Sequence, residues 1–362
     1  MIRAIAIYLP QYHPFKENDT WWGKGFTEWR NVTKAKPLFK GHYQPHLPSD
    51  LGFYDLRIPE VREEQAVLAK AYGISGFCYY HYWFNGKLLM EKPLKEVIKL
   101  GEPDFPFMIC WANENWTRAW DGGEKEILIK QEYSEEDDRN HIKYLVSNIF
   151  NDRRYIRING KHVVAIYRST IVPNIKRTLQ IWREEALKAG IELYICRFES
   201  FAEAGAEFLE PGFDAAIDFQ PRSKSMLDFA KENLSFRIIN KIRSVINKKR
   251  FIKRIDYKKY VEYMIKYESP SYKQYPCITP MWDNTPRRKT DIFALTNSTP
   301  QLYGKWLNNT ITKFEPYSKD ENLIFINAWN EWAEGNHLEP DIKWGRQYLE
   351  MTKKVIERKY IE

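Results

Sequence analysis

The sequence predicts a (β/α)8 barrel, on three observations. Eight short apolar runs recur along the chain, helical stretches lie between them, and chemically distinctive residues collect just after the runs in several repeats. The runs cover 4–9, 74–80, 107–111, 163–167, 192–198, 215–219, 277–282 and 323–329. Most are continuously apolar, the pattern of parallel strands covered on both faces. Strand–helix alternation leaves a closed barrel or an open doubly wound sheet. A doubly wound nucleotide binder places a glycine-rich turn after its first strand. Here that place holds Pro10-Gln11-Tyr12-His13-Pro14, without glycine. A closed barrel is expected, as one catalytic domain over 1–362.

The intervening segments carry helix punctuation. The stretch 59–72 opens on Pro59 and stops before Gly73, and 93–100 ends at Gly101. Ser134 precedes an acidic first turn in 134–150, as N-capping and the helix dipole favour. Further helices are expected at 175–189, 303–314 and 344–360. Two connections are long: 10–58 after the first strand, and 221–269 between the sixth and seventh. Long connections without periodicity are usually functional.

Composition narrows the chemistry. The chain has 362 residues, 43% hydrophobic and 15% aromatic, with 13 Trp, 23 Tyr and 20 Phe. Trp21, Trp22, Trp29, Trp83, Trp111, Trp116, Trp120, Trp282, Trp329 and Trp332 all fall at strand ends or in the loops that follow. In a barrel those loops share one face, where catalytic sites are built. Aromatic rings there suit the flat apolar faces of sugars. The four cysteines, Cys78, Cys110, Cys196 and Cys277, sit far apart in apolar runs, as expected of reduced buried thiols. The apolar stretch 2–9 is interrupted by Arg3 and too short for a secretory leader. A cytoplasmic protein, peripheral at the inner membrane, is expected.

The net charge of +8 is local. Between 237 and 259 there are ten Lys/Arg against Asp256 alone, a net +9. Ile238, Ile242, Val245 and Ile246 recur at helical spacing there, with Lys241, Lys248, Lys249 and Arg250 around them. A basic amphipathic helix suits an anionic membrane surface; a solvated helix docked on the barrel is the plainer alternative. No nucleic-acid recognition module accompanies the stripe, so nucleic acid is not an expected partner.

The last run leads into Trp329-Asn330-Glu331-Trp332-Ala333-Glu334-Gly335 and then Leu338-Glu339-Pro340. Along a continuing strand Glu331 and Glu334 would point to opposite faces. Gly335 argues for a turn that lets both face the mouth. Flanking Trp can keep water from one carboxyl, while an amide such as Asn330 keeps the other ionised. Two acids in different environments can divide proton donation from base or nucleophile work, which is what a glycosidic bond requires. A helix cap or surface ion pair is the plainer reading of Glu-x-x-Glu, but it does not account for a strand end crowded with Trp and Asn.

These motifs resemble the signature of glycoside hydrolase family 99, the endo-acting α-mannosidases and mannanases. They are more similar still to the related WbsX group of bacterial polysaccharide biosynthesis proteins, often labelled glycosyltransferases. The resemblance extends to Ile7-Tyr8-Leu9-Pro10-Gln11-Tyr12-His13-Pro14, to Gly76-Phe77-Cys78-Tyr79-Tyr80-His81-Tyr82-Trp83 and to Cys110-Trp111-Ala112-Asn113-Glu114-Asn115-Trp116. It implies a (β/α)8 barrel and a metal-independent retaining mechanism. In that mechanism Glu331 would assist the sugar's own 2-hydroxyl, which attacks C1 to give a 1,2-anhydro sugar. Glu334 would be general acid, then base. The long first loop and the basic insertion depart from the family-99 pattern.

Position alone nominates further contacts to substrate. Glu114 lies between Trp111 and Trp116, with Asn113 beside it. Tyr8, His13, Tyr80, His81 and Trp83 end the first two runs. Arg168, Glu199, Gln220, Trp282 and Asp283 end the fourth to seventh, and Asn330 and Trp332 flank Glu331. His42 and His46 lie in a Pro-rich loop without helical spacing or a nearby third ligand, so no metal is expected. No cofactor is expected either, since neither a P-loop nor a dinucleotide-binding glycine pattern occurs. The expected partner is an oligosaccharide or polysaccharide of lipopolysaccharide, O-antigen or capsule type, lipid-linked glycans included. Hydrolysis, transfer to another sugar, and glycan binding without catalysis are the three functional readings.

Overall fold

A computed structural model describes residues 2–118, 123–200, 203–221, 223–232, 237–238, 241, 252–289 and 292–358. Eight parallel strands form the barrel wall: β1 Arg3–Tyr8, β2 Ile74–Phe84, β3 Phe107–Trp111, β4 Lys161–Ile166, β5 Leu193–Phe198, β6 Ala215–Ile217, β7 at Gln274–Tyr275 and Cys277–Ile278, and β8 Leu323–Ile326. Each pairs with the next, and β8 returns to β1 through Ala4↔Ile324 and Ile5↔Phe325. Closure occurs in β7. Its first half pairs with β6 (Ile217↔Tyr275) and its second with β8 (Cys277↔Phe325). Pro276 between them has no N–H to give to a ladder, but its carbonyl accepts from the Phe325 amide at 2.8 Å. Residues 4–7 of β1 and all of β8 are buried, which is why these strands read as unbroken apolar runs.

The helices are α1 Pro59–Ala71, α2 Lys92–Leu100, α3 Glu135–Leu145, α4 Ile175–Lys188, α5 Ser223–Glu232, α6 Tyr257–Lys266, α7 Pro300–Lys313 and α8 Gln347–Arg358. Ser134 caps α3 by accepting from the Asp137 amide at 3.1 Å. The alternation has one irregularity. Among the described residues between β5 and β6 only a single 3-10 turn, Ala206–Phe208, is formed, while α5 and α6 both lie between β6 and β7.

Three loop features set up the site. Strand β2 runs past Tyr80 to Phe84 because Asn85 and Gly86, both at positive φ, turn it into a hairpin with Lys87–Leu89; Asn-Gly is the turn that matches strand twist. The first connection contains two short helices, Lys16–Trp22 and Trp29–Lys34, and folds back over the end of β8. After β7, Trp282–Asp283 pairs antiparallel with Ile292–Thr296, itself parallel to Ile252–Asp256. The basic segment 237–259 lies largely outside the described residues, and the expected amphipathic helix with it; its described end is the strand Ile252–Asp256 and the start of α6. No described helix is long and apolar enough to cross a membrane. The four cysteines are buried free thiols.

Candidate active site

After β8 the chain makes a two-residue strand, Asn330–Glu331, a single turn over Trp332–Glu334, and a return strand, Asn336–His337, paired antiparallel with the first. Gly335 closes the turn at φ +53, where a Cβ would lie 3.0 Å from the Cβ of Asp283. Left-handed backbone and crowding both favour glycine. Gly335→Ala is expected to cost about 1–3 kcal/mol of stability, readable as a lower urea midpoint with unchanged slope.

This turn brings the two predicted glutamates to one guanidinium. Arg287, from the connection after β7, places Nη1 3.4 Å from Glu331 Oε2 and Nη2 3.0 Å from Glu334 Oε1. A third carboxylate joins them: Glu28, from the first connection, lies 3.8 Å from Nη1 and is 0% exposed. The Arg287 side chain is 17% exposed. Asn31 donates to the other Glu28 oxygen at 2.9 Å.

Such a cluster cannot ionise freely. Burial and then the charge of Glu334 push the Glu331 carboxyl up to about 8, against the pull of Arg287. Burial also raises Glu28, with Arg287 opposing. Burial disfavours the charged guanidinium, but Glu334, Glu28 and Glu331 outweigh it and hold Arg287 above its usual value. Burial and like charge thus favour the neutral form of Glu331 in a largely buried cluster, a condition that suits acid–base chemistry.

Strand alternation sorts the predicted binding residues. Tyr80 and Tyr82 on β2, and Tyr167 after β4, feel the Glu331 charge. Trp116 stands edge-on to Tyr82 at 5.3 Å and stacks at 6.2 Å on Trp21 from the first connection. The intervening residues point the other way. His81, Trp83 and Trp111, expected at the mouth, pack between barrel and helices: His81 Nε2 lies 3.0 Å from His141 Nε2 of α3, Trp83 donates to Asp137 at 2.9 Å, and Trp111 packs on Trp182 of α4. Tyr8 likewise points outward, donating to Gln65 of α1 at 2.8 Å. His13 is buried, and burial lowers it to about 4.

Other expected contacts are occupied by structural partners. Arg168 donates to Glu114 at 2.8 Å and to Glu203 at 3.4 Å. The Asn113 side chain bridges to the Arg168 backbone in both directions at 2.8 Å. Glu199 accepts from Tyr272 at 2.6 Å and from Gln274; Gln220 accepts from Tyr260 and donates to Asp218. Asp283 accepts from Gln44 at 2.7 Å and meets His42 Nε2 at 2.6 Å. Trp282, beside it, is half-buried. Asn330 clips Leu9: its oxygen accepts from the Leu9 amide at 2.8 Å and its nitrogen donates to the Leu9 carbonyl at 3.1 Å. The expected amide donor to a catalytic carboxyl is thus replaced by Arg287.

Nor does the Trp332 indole serve Glu331. It donates at 2.6 Å to Glu339, which also accepts from Gln65 at 2.6 Å and Tyr54 at 2.8 Å. Burial raises Glu339 to about 7 against these donors. The cage fixes the turn from behind. Glu339→Leu would leave three buried donors unpartnered and is expected to cost at least about 3 kcal/mol, measured by urea unfolding.

Four residues at or behind the site were not anticipated: Glu28, Tyr82, Arg287 and Glu339. The first three were weak in sequence because each is polar within a loop or hairpin whose position depends on tertiary packing. Glu339 stood in the quoted motif without a role. The structure also supplies His46 with neighbours that the sequence did not, His337 and Asp341, the one group of three potential metal ligands among the described residues.

The fold has counterparts among known proteins. The chain is similar to the endo-α-mannosidase of glycoside hydrolase family 99 from Bacteroides thetaiotaomicron, with TM-score 0.56 and 15% identity, covering 99% of this chain and 98% of that one. A glycoside hydrolase-like protein matches with TM-score 0.57 and 14% identity over 98% and 93%. At such identities the likeness is one of fold. An uncharacterized protein, WxcX of Xanthomonas campestris pv. campestris, is 38% identical over 356 residues, 98% of this chain and 49% of the relative. The chain thus spans about half the length of the curated relatives it matches. The model of the family described as glycosyltransferase WbsX matches residues 4–352, and the chain belongs to that family.

Proposed function

We propose that this chain makes or breaks glycosidic bonds of a bacterial surface glycan with Glu331 and Glu334, by retaining chemistry of the family-99 kind on an α-mannoside-type substrate. The observation that carries the reading is the Arg287 fork contacting both carboxyls, 3.4 Å from Glu331 and 3.0 Å from Glu334, at the end of the last strand. Once ionised, Glu331 takes the proton of the sugar 2-hydroxyl. The freed oxygen attacks C1 as Glu334 donates a proton to the departing glycosidic oxygen. Glu334, now ionised, deprotonates the acceptor whose oxygen bonds C1; the C1–O2 bond of the 1,2-anhydro ring breaks and Glu331 returns its proton to O2. Water as acceptor gives hydrolysis; a sugar hydroxyl gives transglycosylation. Trp21, Trp116 and Tyr82 offer aromatic surface beside this centre.

The family's description favours a second reading, transfer from an activated donor. One experiment separates them. The protein is incubated with α-mannans, lipid-linked oligosaccharides and sugar nucleotides, and products are followed by mass spectrometry. Release of oligosaccharide supports hydrolysis, elongation at the expense of a second glycan supports transglycosylation, and sugar-nucleotide consumption supports transfer. Activity unaltered in both Glu331→Gln and Glu334→Gln would overturn the mechanism.

A further inference from the structure

We infer that His46, His337 and Asp341 form a transition-metal site, of the kind zinc occupies, that staples the first connection to the catalytic turn. The three side chains are buried, and one donor atom from each lies within 4.8 Å of the others. His46 Nδ1 is 3.0 Å from His337 Nε2, which is 3.9 Å from Asp341 Oδ2. Two imidazoles and a carboxylate are a donor set that suits zinc, with a fourth position left for water.

The surroundings orient these donors as a metal site requires. His337 Nδ1 lies 2.9 Å from the Glu339 carbonyl. That contact places the ring proton on Nδ1 and leaves the Nε2 lone pair facing His46 and Asp341. A ligating histidine usually donates its second ring N–H to a carbonyl or carboxylate in this way. Asp341 is fixed by the Tyr43 hydroxyl at 3.1 Å and the Trp344 amide at 2.6 Å. His46 and Tyr43 line a pocket of about 70 Å³ that also includes Lys343 and Trp344. Lys343 faces this pocket over the Tyr43 and Trp344 rings, and its charge limits the affinity.

A bound ion there would act on the site from the side. His337 is the cross-strand partner of Asn330 and stacks on Trp332 at 3.8 Å. His46 belongs to the connection that delivers Glu28. The ion would thus clamp together the two segments that bring Glu28 and Glu331 to Arg287, without touching substrate. Without metal, the same contact is a hydrogen bond between His46 and His337.

The test uses tag-free protein stripped with a chelator and titrated with Zn²⁺ by calorimetry and with Co²⁺ by visible absorption. One equivalent of Zn²⁺ is expected, bound tighter than about 10 μM, with the intense visible bands of four-coordinate Co²⁺. His46→Gln and Asp341→Asn should each weaken Zn²⁺ at least about tenfold, while His162→Gln, elsewhere in the fold, leaves binding unchanged. Zn²⁺ should also raise the melting temperature of the parent and not of the two variants. Absence of saturable Zn²⁺ binding by the parent, weak octahedral Co²⁺ bands, or equal affinity in all variants overturns the proposal. The Co²⁺ spectrum of the parent decides it even if a variant fails to fold.

Discussion

Glu331→Gln and Glu334→Gln are each expected to lower turnover of the cognate glycan by about 10²–10⁴-fold, the range that positioned proton transfer contributes. The pH profile carries more information than the loss. Burial and Glu334 push the Glu331 carboxyl up to about 8. The mechanism needs Glu331 ionised and Glu334 protonated, so kcat/KM of the parent should be bell-shaped in pH, with the ascending limb set by Glu331. A descending limb set by Glu331 would exchange the two roles and make Glu331 the donor. The stability sign is opposite to that of an ordinary salt-bridged acid. With its folded pKa above the model value of 4.5, Glu331 contributes most below about 4.5, and that contribution is lost as pH rises through about 8. Glu331→Gln should therefore raise the melting temperature more at pH 9 than at pH 5, with a ceiling on the order of 5 kcal/mol. An equal shift at both pH values would show that Glu331 is not held protonated.

Removing Arg287 is expected to be the most damaging change to stability among the site residues. Arg287→Met takes away a positive charge shared by Glu28, Glu331 and Glu334. Breaking a buried pair by deleting one partner typically costs about 3–5 kcal/mol. Protonation is the remaining relief for the stranded carboxylates, so the loss should be small near pH 5 and grow toward pH 9. Thermal unfolding across that range checks the slope; a pH-independent loss would mean that Arg287 acts through packing. Arg287→Lys restores the charge but not the two-pronged geometry. It should recover much of the stability while leaving kcat depressed. Recovery of both would show that charge alone suffices.

The barrel was legible because its strands are buried on both faces and its helices carry their own punctuation. Pro59, Ser134 and Gly101 mark helix ends by local chemistry that needs no tertiary partner. The Asn85-Gly86 turn is equally local; it extends β2 to Phe84 and carries Tyr82 toward the mouth. Side-chain direction was harder. His81, Trp83 and Trp111 have the residue types of a sugar site, yet the two-residue period of a strand sends them into the helix layer while Tyr80 and Tyr82 face Glu331. Composition cannot reveal which parity faces inward.

Sequence alone suffices to place Glu331 and Glu334 together at the end of the last strand, because a glycine-closed turn is encoded in adjacent residues. What sets their chemistry came from elsewhere. Glu28 arrives from a connection near the start of the chain and Arg287 from a hairpin after β7, separated from Glu331 by 303 and 44 positions in the sequence. No local periodicity links such residues. Only closure of the barrel, which gathers every strand end on one face, brings their charges within reach of one another.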